Sequence, residues 1–285
     1  MAGLIAWAAD YLAGYQVESP RLSAELMLAA VLDLERIDLY LRHDQPLTPD
    51  ELAGFKRLLL RRREHEPMAH ILGRREFYGL EFQVGPAVLI PRPETEHLVE
   101  RALAAAGDLP APRILDLCTG SGCVALALAH RLPDAQVAAT DISRAALEVA
   151  RANAEALGLA ERVSFTQGSL WEAVAADGGF FDLVTANPPY VSQDQWESLE
   201  RQVRDYEPRQ ALVAGPGGLE LIEPIIAGAP AHLRPLGWLM LELGAGQGPA
   251  AVELARRTGA YQAIDTAADL SGIQRVLICR RRDYG

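Results

Sequence analysis

Lysine is almost missing from this 285-residue chain: Lys56 is the only one, and every other basic side chain is arginine. Cysteine is scarce too. Cys118, Cys123 and Cys279 form no CxxC pair and have no histidine at zinc spacing. That argues against a structural metal and for reduced, partly buried thiols. No apolar run reaches the roughly 20 residues that cross a bilayer. No basic stretch leads into an apolar one at the N-terminus, so neither a membrane anchor nor a secretory leader is expected. Net positive charge is also lacking. The chain carries a formal −11, with 9 basic and 11 acidic residues in 1–74 against 18 and 27 in 75–285. Broad duplex binding by phosphate neutralisation is therefore disfavoured, and no stable nucleic-acid binding is expected. What is present is a globular composition, 49% hydrophobic and 23% charged, long enough for one large domain or two modest ones.

Residues 1 to about 70 read as helices. Ser19-Pro20 places a capping residue before a first-turn proline, and Leu22, Leu26, Ala29 and Ala30 follow at helical spacing. Thr48-Pro49-Asp50-Glu51 repeats the device with a capping box, and Phe55, Leu58 and Leu59 supply the apolar stripe behind it. Arg61-Arg62-Arg63 reads as a solvated, basic helix end. Between 75 and 91, Phe77, Tyr78, Leu80, Phe82 and Val84 half-alternate around Gly79 and Gly85, which suggests a short hairpin. Strands and helices then alternate. Strands are expected at 113–117, 136–140, 163–166, 181–186 and 238–243, with helices between them and two last apolar runs at 261–266 and 275–279. This is an α/β pattern, a mostly parallel sheet covered on both faces and closed by an antiparallel hairpin.

Two places carry chemistry. The first is Asp116-Leu117-Cys118-Thr119-Gly120-Ser121-Gly122, after the first strand of the sheet and before a helix. Gly120 and Gly122 let the backbone turn sharply and approach a ligand. The third glycine of a dinucleotide fingerprint is missing, which disfavours a nicotinamide cofactor. Asp141 ends the next strand, where a carboxylate can accept hydrogen bonds from both hydroxyls of a ribose. Loop and acid together read as a nucleoside site.

The second is Asn187-Pro188-Pro189-Tyr190, at the carboxyl end of the fourth strand, the edge where open α/β sheets bind ligands. An amide nitrogen is a poor nucleophile because its lone pair is delocalised. The Asn187 side-chain oxygen and the Pro188 carbonyl can accept its two N–H groups and fix it. Pro188 and Pro189 stiffen the turn, and Tyr190 offers a ring to pack on a planar group. A planar amide and an exocyclic base nitrogen satisfy this chemistry equally. Alkylation acidifies the nitrogen, so no strong base is needed, and the chain shows no Ser/His/Asp arrangement or histidine cluster. Nor does it show a metal-binding set.

These segments resemble the HemK/PrmC-type release-factor glutamine N5-methyltransferases along nearly the whole chain. The likeness also runs through residues 66–73, Arg75-Glu76-Phe77-Tyr78, Ile90-Pro91-Arg92-Pro93-Glu94-Thr95-Glu96, Tyr206-Glu207-Pro208 and residues 269–275. The resemblance implies a Rossmann-like class I methyltransferase sheet of seven strands, the last antiparallel, with a small all-helical N-terminal domain and a β-hairpin linker. The expected division is 1–73 for substrate recognition, 74–92 for the linker and 93–285 for catalysis. It implies S-adenosyl-L-methionine as cofactor, held by Cys118, Thr119, Gly120, Ser121, Gly122, Asp141, Leu170 and Asn187. It also implies a substrate glutamine, in the Gly-Gly-Gln loop of peptide chain release factors, held by Asn187, Pro188, Pro189 and Tyr190. Asn187, Pro188 and Tyr190 would be the catalytic set, in a cytoplasmic protein. A ribosomal-protein glutamine methyltransferase is the nearest alternative, and an adenine N6 nucleic-acid methyltransferase a more distant one. Cys118 stands where many methyltransferases have the loop's first glycine, and Ser169-Leu170 where some members carry acidic and aromatic residues. Arg92 either pairs with Glu94 near the pocket or leaves Glu94 to start its helix.

Overall fold

The computed structural model describes residues 1–174 and 179–283. The chain divides into two compact units, Met1–Arg74 with Glu200–Tyr206, and Arg75–Leu199 with Glu207–Gly285.

The first unit is helical: α1 (Ala2–Gly14), α2 (Pro20–Leu32), α3 (Arg36–Leu41), α4 (Pro49–Arg63), α5 (Met68–Leu72) and the later α9 (Arg201–Arg204). Its core gathers Ile5, Ala8 and Leu12 from α1, Ala24, Met27 and Leu28 from α2, and Phe55 and Leu59 from α4. The capping box at Thr48 forms in both directions. Glu51 N–H donates to Thr48 Oγ1 at 3.3 Å, and Thr48 N–H donates to Glu51 Oε2 at 2.6 Å.

Three expectations fail here. Ser19 sits in the left-handed region (φ 47°) and its side chain caps nothing, so Pro20 alone marks the start of α2. Leu22 and Ala30 are exposed and Leu26 only half-buried, because α2 is apolar nearly all round and its buried face is set by Ala24, Met27 and Leu28. Arg62 is not a solvated helix end but 5% exposed. Its guanidinium donates to Ser23 Oγ (3.2 Å) and to the carbonyls of Glu66 (2.9 Å) and Glu18 (3.3 Å). Its planar fork satisfies three chain segments at once. Arg61 is held by Glu66.

The second unit opens with a hairpin, β1 (Arg74–Phe77) and β2 (Leu80–Gln83). Its two-residue turn has positive φ at both Tyr78 (53°) and Gly79 (77°), the sense that matches strand twist. Then follow α6 (Glu96–Ala106), β3 (Arg113–Leu117), α7 (Cys123–Arg131), β4 (Gln136–Asp141), α8 (Arg144–Ala156), β5 (Val163–Gln167), β6 (Phe181–Ala186), β7 (Val191–Ser192), β8 (Val213–Gly215), α10 (Ile222–His232), β9 (Leu233–Glu242), α11 (Gly248–Thr258), β10 (Tyr261–Ala268) and β11 (Gln274–Arg281).

Seven of these strands form one sheet in the order β10-β11-β9-β6-β3-β4-β5. β3, β4, β5, β6 and β9 run parallel, and β11 is antiparallel to both of its neighbours. The class I methyltransferase sheet with its reversed last strand is therefore what the chain forms. β9 begins five residues before the expected residue 238.

Strand alternation divides the core. Leu115 and Leu117 join Val184, Leu239 and Leu241 beneath α10 and α11. Ile114 and Asp116 turn to the opposite face. Truncating a side chain as enclosed as Leu117 (0% exposed) to alanine would cost about 2–5 kcal/mol. Arg281 donates to the Leu233 carbonyl, and Arg280 lies over the Trp238 ring. No helix among the described residues is long and apolar enough to cross a membrane.

Candidate active site

The carboxyl ends of β3, β4, β5 and β6 open on one cavity of about 330 Å³, within the range of small-molecule sites. Its walls include Cys118, Thr119, Gly120, Ser121, Asp141, Leu170, Asn187 and Pro189. The loop at 118–122 and the turn at 187–190, far apart in sequence, are thus brought to one space.

Gly120 and Gly122 differ in what they do. Both have positive φ (56° and 81°). A Cβ on Gly120 would meet nothing within 4 Å, since it borders the open cavity. One on Gly122 would lie 3.1 Å from Leu126 and 3.2 Å from Ala150. Gly120 clears room for a ligand, and Gly122 lets α7 and α8 approach. Cys118 also has positive φ (56°), which explains why many methyltransferases place a glycine there. Its thiol is pushed far up by burial and by Asp141 and Asp116, so it is an inert wall rather than a nucleophile.

Asp141 is pinned by the backbone. Its Oδ2 accepts Gly120 N–H and its Oδ1 accepts Ser143 N–H, both at 2.9 Å. Burial raises its pKa and these bonds oppose the rise. Each oxygen keeps a further lone pair for a ligand. Ser143 caps α8 by accepting Ala146 N–H at 3.2 Å. Behind the loop, Asp116 is 1% exposed and accepts the hydroxyls of Thr119 and Thr185, both at 2.7 Å. Burial lifts its pKa to about 6 against those two donors.

The turn at 187–190 is held from behind. Asn187 Nδ2 donates to Thr95 Oγ1 at 3.2 Å. Tyr190 OH donates to Glu242 Oε1 at 3.4 Å, and burial raises the phenol's pKa. The Tyr190 carbonyl accepts Gln247 Nε2 at 3.0 Å. A Cβ on Gly218 would fall 2.6 Å from that carbonyl, so only glycine lets the two segments close.

Several wall residues gave no sequence signal. Ala87, Val88 and Leu89 reach the cavity from the segment after the hairpin, and Ile142, half-exposed beside Asp141, offers an apolar face. Arg92 does line the cavity, but it pairs with Glu207 (2.5 Å) and not with Glu94. Glu207 also accepts Ile90 N–H at 2.9 Å, which ties the Pro91-Arg92-Pro93 segment to Pro208 on the opposite wall.

Sequence comparison meets this geometry directly. A release factor glutamine methyltransferase of Geobacter sulfurreducens is 45% identical over 95% of this chain and 93% of its own length. One from Chlorobaculum tepidum is 44% identical over 94% and 93%. The chain belongs to the release factor glutamine methyltransferase family. Its residues 3–73 match the PrmC N-terminal domain, and 114–206 match a methyltransferase domain. A methyltransferase from Pyrococcus furiosus shares the fold at 18% identity, with a TM-score of 0.52, over 73% of this chain and 91% of that one.

As a member of this family the chain is a methyltransferase, and its methyl donor is S-adenosyl-L-methionine. The cavity fits that donor. A sulfonium is cationic, and the walls hold two carboxylates, Asp116 and Asp141, against one arginine already paired to Glu207. Asp141 suits a ribose, and Ile142 and Leu170 suit the flat faces of an adenine.

Proposed function

We propose that this enzyme transfers a methyl group from S-adenosyl-L-methionine to the side-chain nitrogen, N5, of the glutamine in the Gly-Gly-Gln loop of peptide chain release factors. The observation that carries the reading is the place of Asn187. It stands at the end of β6 in the wall that also holds Asp141 and Gly120, with its Nδ2 engaged by Thr95. The side-chain oxygen is then the group left for a substrate N–H. The Pro188 carbonyl is the second acceptor, and Pro189 and Tyr190 complete the substrate contacts. Cys118, Thr119, Gly120, Ser121, Gly122, Asp141 and Leu170 hold the cofactor, with Asn187 shared between the two.

S-adenosyl-L-methionine supplies an electrophilic methyl group on a positively charged sulfur. The chain's own work is positioning. Two acceptors fix both N–H groups of the amide and favour pyramidal nitrogen. Asn187 and Pro189 share the cavity wall with Pro208, Ala211, Val213 and Ala214, an apolar surround for that amide. Orientation of this kind is worth up to about 7–11 kcal/mol. The proton released from nitrogen needs no dedicated base, because alkylation makes it acidic.

We assign residues 1–73 to substrate recognition, 74–92 to a linker and 93–285 to catalysis. We place the protein in the cytoplasm, with which three free cysteines agree. The test is to incubate it with labelled cofactor and, separately, a release factor, a ribosomal protein and DNA. Mass spectrometry then locates the label. Methyl on the release-factor glutamine is expected, and label confined to either other substrate refutes the assignment. Asn187→Ala is expected to abolish transfer while keeping cofactor affinity, which calorimetry reads.

A further inference from the structure

Glu242 ends β9 at 2% exposure, on the protein side of the turn at 187–190 and outside the cavity wall. A buried carboxyl is costly unless its oxygens are engaged. Here Oε1 accepts Tyr190 OH at 3.4 Å, while Oε2 has no hydrogen-bond partner among the described residues. The Thr95 hydroxyl is the hydrogen-bonding group that most strongly opposes the burial-driven rise of that carboxyl's pKa. Thr95 is itself 2% exposed, and its Oγ1 receives Asn187 Nδ2–H at 3.2 Å.

A hydroxyl has one hydrogen to give. With Asn187 donating into the Thr95 oxygen, that hydrogen is left to give, and the unpartnered oxygen of Glu242 is a buried acceptor in need of one. The relay therefore runs in one direction, from the Asn187 amide through Thr95 to Glu242. Run in reverse, Thr95 would donate to Asn187 Oδ1. The amide would be turned over, and an NH2 group would face the substrate. An NH2 group cannot accept a substrate N–H.

We propose that Glu242 and Thr95 are a positioning pair that sets which way round the Asn187 amide sits, and so keeps its oxygen toward the substrate nitrogen. This rests on the reading of Asn187 given above. The same carboxyl holds Tyr190, so one buried group orients both ends of the turn.

The protonation state of Glu242 matters to the relay. Burial lifts its pKa to about 7, against the Thr95 and Tyr190 hydrogen bonds and Arg275, and with Glu94 adding to the rise. Cys123, its own thiol raised to about 12, is the other ionisable neighbour. Once protonated, Glu242 becomes a donor and competes with Asn187 for the Thr95 oxygen. Turnover should thus fall as pH drops through about 7.

The test uses the full-length enzyme with a release factor as substrate and the variants Thr95→Val, Thr95→Ser, Glu242→Gln and Asn187→Ala. Thr95→Val keeps the shape and removes the relay. It should lower kcat about tenfold or more, as misplacement of a reacting group does, with cofactor affinity within about twofold of wild type. Thr95→Ser should recover most of that loss. Glu242→Gln should lower kcat and erase the inflection near pH 7. Wild-type kcat in Thr95→Val beside an inactive Asn187→Ala would overturn this inference alone. So would a Thr95→Ser as impaired as Thr95→Val, loss of cofactor binding in step with kcat, or an unchanged pH profile in Glu242→Gln. Wild-type turnover in Asn187→Ala would overturn the reading of the turn and this inference with it.

Discussion

Replacing Asp141 with alanine and with asparagine separates its two jobs. In the folded enzyme each carboxylate oxygen already accepts one backbone N–H, from Gly120 and from Ser143, at 2.9 Å. Alanine removes both acceptors and whatever the carboxylate offers a ribose. Charged hydrogen bonds of that kind are worth roughly 1.5–3 kcal/mol, and each 1.4 kcal/mol is tenfold, so cofactor affinity should fall about ten- to a hundredfold. Asparagine keeps the volume but turns one oxygen into a donor. That donor must face either Gly120 N–H or Ser143 N–H, leaving a partly buried donor unsatisfied at about 1–3 kcal/mol. Asparagine should therefore lower the melting temperature as well as affinity. Isothermal titration with S-adenosyl-L-methionine, paired with thermal unfolding of the free proteins, reads both effects. Unchanged affinity in Asp141→Ala would refute the ribose contact. An Asp141→Asn as stable as wild type would refute the claim that both oxygens are engaged by the backbone.

Gly122→Ala should lower stability by at least about 1 kcal/mol, since positive φ and contacts near 3.1 Å act together, whereas Gly120→Ala should weaken cofactor binding more than stability; melting curves with and without cofactor distinguish them. Asp116 has its pKa raised to about 6 on folding, so the folded state holds a proton that the unfolded state releases. Its charge destabilises the fold above pH 6, and that penalty fades as pH falls toward 4. Denaturant unfolding from pH 7 to 4 should show wild type gaining on Asp116→Asn by the order of 1–3 kcal/mol, and parallel curves would contradict the assignment. Thr48→Ala should cost about 0.5–2 kcal/mol through loss of the capping box, measured by the same unfolding assay.

Local signals were the legible ones. The Thr48 box needs only four consecutive residues, and Asp141 needs only its place at a strand end. The sheet could be read because its central parallel strands, β3 and β6, are buried on both faces and stand out as short apolar runs between helices. Ser19 misled because its backbone went left-handed, which no side chain announces. The buried face of α2 was hidden because leucine, methionine and alanine surround that helix, and only the packing of Met27 and Leu28 selects a side. Arg62 looked like its neighbours, and its burial depends on carbonyls at Glu18 and Glu66 that no spacing rule connects. At the site, both motifs were visible in sequence. Their support was not, because Thr95, Glu207 and Glu242 meet Asn187, Arg92 and Tyr190 only through the fold.

Gln247 has a consequence of its own. Its oxygen accepts Gly244 N–H at 2.8 Å, and its nitrogen donates to the carbonyls of Tyr190 and Gly218, both at 3.0 Å. The pattern can be read in only one sense, since turning the amide over would set donor against donor and acceptor against acceptor. Glutamate has the same shape but would point an anion at two carbonyls, and should be tolerated less well than the far smaller alanine. At this point in the chain the identity of a residue is written in proton inventory, not in volume or hydrophobicity.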